Sequence, residues 1–184
     1  MAATRHDRPM GTLERTNDHD VASVLLRFTL GPMLIAHGAN KVAGPGGLAG
    51  TTRWFSNLGL RPPWLHARLA AGTEIVAGTL MTAGALAPLP EAAAIGLMAT
   101  AAATDHRGKG FFVFKGGWEY VAVVGAAATC LATLGHGRWS LDARFGNHRC
   151  GPRAAAVAVA IGLANTAALL AACYRPAPAA DAGS

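Results

Sequence analysis

Residues 154–174, "AAAVAVAIGLANTAALLAACY", run without a single charged side chain. A helix needs about 20 predominantly apolar residues to cross the hydrocarbon of a bilayer. A run of that length with no charge has no strongly polar face to turn toward water. Further apolar windows lie at 21–43, 66–87, 91–104 and 116–134, separated by short segments rich in Pro, Gly and Arg. Charged residues make up only 14% of the chain, against roughly a quarter in a soluble domain. The pattern predicts an all-α polytopic membrane protein, a four-helix bundle over 21–145 followed by a fifth, C-terminal transmembrane helix within 146–175. Residues 1–20 and 176–184 are polar or composition-biased and read as disordered tails.

Sixteen Lys and Arg stand against ten Asp and Glu. That excess would suit nucleic acid if it were clustered, but it lies mainly between apolar runs, as at a membrane surface. The expected partner is a lipid bilayer, and no nucleic acid is expected. Positive residues nearly tie across the two faces of the bundle, seven against eight, so the positive-inside rule does not orient it. Three cysteines with no CxxC or HxxxH spacing form no metal pattern. On a continuous helix, Cys150 and Cys173 would stand on the order of 34 Å apart, too far for a disulfide.

The few polar residues inside the apolar windows are the informative ones. Charged groups at bilayer depth are rare and are paired or functional. His37, Asn40 and Lys41 close the first window, and Glu74 lies early in the second. Asp105 and His106 end the third, and Glu119 and Tyr120 open the fourth. Alternating passes bring those helix ends to one side. Arg27 shares a helix face with Leu34, His37 and Lys41 and extends the polar seam, with Glu74 or Glu119 as the expected counter-charge. Other signals read as structural: "GPGG" at 44–47 as a flexible turn opening a Gly-, Pro- and Trp-bearing connection to about residue 64, the four Trp as interface anchors, and His136 and His148 as loop residues without partner spacing.

The ordered pieces "LLRFTLGPMLIAHGANKVAG", "LAAGTEIVAGTLMTAGALA", "DHRGKGFF", "GGWEYVAVV" and "GHGRWSLD" resemble the DoxX family of bacterial inner-membrane proteins. The resemblance covers about residues 21–145. It implies a four-helix membrane core related to the DoxD subunit of a thiosulfate:quinone oxidoreductase, in a family linked to oxidative stress and thiol balance. The family's recurrent polar positions carry over as Arg27, His37, Lys41, Glu74, His106, Glu119 and Tyr120. The fifth helix is a departure from that core.

These readings lead to an expected membrane component of a quinone- or thiol-linked oxidoreductase system. His37, Lys41, Glu74 and His106 are its expected catalytic groups, and Arg27, Asn40, Glu119 and Tyr120 its pocket or structural network. Lys41 or Arg27 would stabilise developing negative charge, and His37 or His106 would relay a proton. A quinone is the expected small molecule; no flavin, haem or metal motif is present in the sequence, so electrons are expected from a redox-enzyme partner. A non-enzymatic scaffold or small-solute transporter is the alternative.

Overall fold

The computed structural model describes residues 11–176. Among the described residues the regular secondary structure is helical, including one short 3-10 turn at Val113–Lys115, apart from one isolated bridge between Leu60 and Tyr174. Seven α-helices follow in order: α1 (Gly11–Ala43), α2 (Gly47–Leu58), α3 (Pro63–Ala83), α4 (Leu89–Ala103), α5 (Glu119–Leu134), α6 (Leu141–Arg144) and α7 (Pro152–Cys173). Asp18–Ala43 of α1 and α7 are long and apolar enough to cross a membrane, while α4 and α5 are shorter apolar helices. Their outward faces are apolar. Leu25, Phe28, Val76, Val123 and Leu163 are each more than half exposed, as in a bundle that meets lipid.

Two of the sequence boundaries shift. The first helix starts before residue 21, so the polar tail expected over 1–20 overlaps its opening turns; the rest of that tail, and 177–184 of the other, lie outside the described residues. Around the expected boundary the helix is tied to the far loop. Ser23 Oγ donates to the carbonyl of Gly135 at 2.6 Å, and Asp20 Oδ1 accepts from the backbone of Arg138 at 2.9 Å. The connection after the first span contains α2. Gly46 and Gly59 bracket it with φ of 81° and 89°, a region open to glycine without steric cost. Inside, Phe55 is buried against Leu60 and Ala67.

Small residues set the helix pairing. A Cβ on Gly78 (α3) would lie 2.5 Å from the carbonyl oxygen of Gly31 (α1). One on Gly162 (α7) would lie 2.8 Å from the carbonyl oxygen of Ala92 (α4). Backbones that close admit only glycine, the small-residue packing expected in lipid. The pairs α1/α3 and α4/α7 are joined by α5, whose Val121, Val124 and Leu131 enter the core with Leu30, Leu34, Ile95 and Met98.

Candidate functional site

The alternating helices bring the end of α1, the first half of α3, the end of α4 and the start of α5 to one end of the bundle. Between them lies a cavity of about 610 Å³, lined by His37, Lys41, Glu74, Asp105, His106 and Tyr120 at its polar end. It continues along α4 and α7 past Leu97, Leu89, Ile161 and Leu169. The site is therefore polar at one end, with walls that are mostly apolar but carry His66, Thr73, Thr100 and Asn165.

Lys41 Nζ donates to both oxygens of Glu74, at 2.8 and 2.6 Å. Glu74 is only 6% exposed, so the pair is held away from bulk water and its attraction is little screened. The carbonyl of Lys41 accepts from Thr51 Oγ1 at 3.1 Å, which brings α2 against the pair. His37 Nδ1 sits 2.9 Å from the carbonyl of Met33, an acceptor only. The Nδ1 proton is thus committed, and in the neutral ring Nε2 is left as an acceptor. Tyr120 Oη lies 3.5 Å from that nitrogen and 3.2 Å from Met33 Sδ, and the two rings stack at 5.9 Å. His106 uses Nδ1 in the same way, toward the carbonyl of Gly116 at 2.6 Å.

Of the residues named from the sequence, His37, Lys41, Glu74, His106 and Tyr120 line this cavity; Arg27, Asn40 and Glu119 do not. Glu119 turns back on its own loop, where Oε2 accepts from the backbone of Val113 at 3.1 Å. Asn40 is exposed on α1. The expected partnership of Arg27 with Glu74 or Glu119 is also corrected. Its guanidinium donates to the carbonyls of Met81 (3.0 Å), Thr82 (2.8 Å), His136 (2.9 Å) and Trp139 (2.7 Å). Met81 and Thr82 are the last turn of α3, where free carbonyls and the helix dipole favour a cation.

Beside Arg27 lies a network that the sequence reading missed. His136 Nε2 is 2.6 Å from Glu91 Oε1, and Nδ1 is 2.9 Å from Asp142 Oδ2. Asp142 also accepts from the backbones of Leu86 and Ala87 and from Asn147 Nδ2, each at 2.8 Å. Burial alone would lower the His136 pKa, but hydrogen bonds and charge from Glu91 and Asp142 outweigh it and raise the value. Burial likewise opposes ionisation of Asp142, yet these donors hold its pKa below the ordinary carboxylate value. With carboxylates at both ring nitrogens, His136 is a double donor, and neither nitrogen has a lone pair to offer a metal. The signal was "GHGRWSLD", which carries His136 and Asp142 six residues apart; Glu91, from another helix, has no local signature.

A model of the DoxX family matches residues 22–107. No curated protein matches the chain, and neither does any solved structure. The matched stretch includes His37, Lys41, Glu74 and His106. Tyr120, the His136–Asp142 segment and α7 lie beyond it.

Proposed function

We propose, from the match of residues 22–107 to the DoxX family, that the chain is a DoxX-family, multi-pass protein of the bacterial inner membrane whose cavity serves a quinone- or thiol-linked oxidoreductase system. The observation that carries this reading is the gathering of His37, His106, Tyr120, Asp105 and the Lys41–Glu74 pair at one end of a cavity whose remaining walls are mostly apolar, with His66, Thr73, Thr100, Thr104 and Asn165 among them. The volume suits an amphiphilic small molecule. A quinone supplies the two-electron acceptor chemistry: with two electrons and two protons it becomes the quinol, and a dithiol donor gives up both on forming its disulfide.

In this reading the chain's own groups handle charge and protons. Tyr120 Oη donates toward a ligand oxygen, and His37 Nε2 supplies the matching acceptor, its tautomer set by Met33. Lys41 offsets negative charge developing on that oxygen. Glu74 keeps the ammonium in place between turnovers. Electrons come from a redox-enzyme partner or a thiol substrate.

The scaffold or transporter reading gains from one observation: Arg27, Glu91, His136 and Asp142 are buried and satisfied mostly by one another and by backbone, an arrangement suited to holding helices together. The test is to purify the protein in lipid particles, identify what is bound by mass spectrometry, and compare wild type with Glu74→Gln. Stoichiometric quinone in the wild type that is lost in the variant is the expected result. A Glu74→Gln protein that accumulates normally and sustains full quinone-linked activity would overturn the proposal.

A further inference from the structure

The helices α4 and α5 have 15 and 16 residues, or about 22 and 24 Å at 1.5 Å per residue. The hydrocarbon core is about 30 Å thick. If the bundle crosses a bilayer, this hairpin is too short to carry its 104–118 connection clear of the membrane, so the connection must tolerate the headgroup boundary. Its composition and its bonding both meet that demand.

Phe111, Phe112, Val113 and Phe114 are 46, 51, 50 and 77% exposed, and Trp118 is 45% exposed. The rings pack on each other, Phe111 on Trp118 at 5.0 Å and Phe112 on Phe114 at 5.3 Å, which leaves their outer faces unpartnered. Backbone in an apolar setting needs internal partners, and here it has them. Trp118 N donates to Gly110 O, Glu119 N to Phe111 O, Gly117 N to Phe112 O, and Val113 N to Glu119 Oε2. Arg107, Lys109 and Lys115 are exposed on the same loop, and Lys109 makes only an exposed pair with Asp105 at 3.2 Å. This also gives Glu119 its role: it fastens the loop rather than entering the cavity.

We infer that the 107–118 loop is an interfacial wedge for anionic phospholipid, with Phe112, Val113 and Phe114 in the acyl boundary and Arg107, Lys109 and Lys115 on the headgroup phosphates. Aromatic rings and basic side chains are the groups that settle at that depth. The inference needs the bundle to sit in a bilayer but does not need the cavity to hold a quinone, so the two readings can fail separately.

The test uses the full chain in neutral detergent, titrated with dioleoyl phosphatidylglycerol or with dioleoyl phosphatidylcholine, with retained lipids counted by native mass spectrometry. The wild type should retain the anionic lipid preferentially, and added salt should reduce that preference. One basic residue near an anionic surface is worth about fivefold in binding. The triple variant Arg107→Gln, Lys109→Gln, Lys115→Gln should therefore lose on the order of 100-fold. The triple Arg138→Gln, Arg144→Gln, Arg149→Gln at the opposite end serves as the control for overall charge. Equal losses in the two triples would overturn the inference, as would a salt-insensitive wild type. Equal retention of both lipids by the wild type would overturn it too. If the loop triple fails to accumulate, the single variants Arg107→Gln, Lys109→Gln and Lys115→Gln, each at an exposed position, take its place, and singles that retain the anionic lipid as the wild type does would overturn the inference.

Discussion

Replacing His136 with Leu should destabilise the bundle strongly, and the structure says which atom suffers. Glu91 is fully buried, its Oε2 has no hydrogen-bond partner, and its Oε1 is held by His136 alone among the described contacts. Asp142 keeps three N–H donors without the imidazole. The loss therefore falls on Glu91, left with an uncompensated buried carboxylate. Breaking a buried pair by removing one partner costs about 3–5 kcal/mol. At about 2–4 °C per kcal/mol for a chain of this size, the midpoint should fall by roughly 6–20 °C. The assay is thermal unfolding in lipid particles followed by tryptophan fluorescence.

The second arm removes the stranded charge: His136→Leu with Glu91→Leu should recover most of the loss. A double variant as unstable as the single one would refute the assignment of the cost to Glu91. The pH dependence has a definite sign. The His136 pKa is raised on folding, so its contribution is fully present below the unfolded value of about 6.5 and is lost as pH rises through the folded value. Asp142 is shifted down, so its contribution is present above about 3.9 and is lost as pH falls through its folded value. Both act together in the mildly acidic window between the two unfolded values. Wild-type stability from this cluster should be greatest there and should fall as pH rises through the folded value of His136, a dependence that His136→Leu should lack.

Four further outcomes test the packing and the site. Arg27→Lys should destabilise by several kcal/mol, since a lysine cannot reproduce the fork that serves four carbonyls and each lost charged hydrogen bond is worth about 1.5–3 kcal/mol; a wild-type midpoint would refute this. Gly78→Val should fail to accumulate in the membrane, because its Cβ meets the Gly31 carbonyl at 2.5 Å. Gly72→Ala, where nothing lies within 4 Å, should be neutral or stabilising by up to about 1 kcal/mol. For the ion pair, a Lys41→Ala, Glu74→Ala double-mutant cycle should give a coupling of about 0.5–3 kcal/mol, and an additive pair would show that the two do not act together.

Chain order, helix class and the end of the bundle to which each polar residue belongs were legible in the residues. Hydrophobic runs and their lengths are local properties, and alternation of passes follows from short connections. That is why Lys41, Glu74, His106 and Tyr120 could be expected at one level before any contact was known. The helix α2 was hidden because its flanking glycines and prolines read as a connection, although two of those glycines, Gly46 and Gly59, cap it. Partner choice was not legible. Arg27 and Glu74 look like natural counter-charges in one dimension, yet Arg27 spends its donors on carbonyls 54 to 112 residues away.

What the sequence determined by itself is the apolar, all-helical character of the chain and the axial height of its polar groups, because a 1.5 Å rise converts residue number directly into depth. Only the tertiary structure decided which of those groups face one another. That depends on helix rotation, set by the backbone contacts at Gly31, Gly78 and Gly162, and on loops that fold back over helix ends. A hydrogen bond requires its atoms within about 3 Å, and no pattern along one strand of text carries distances between helices to that tolerance.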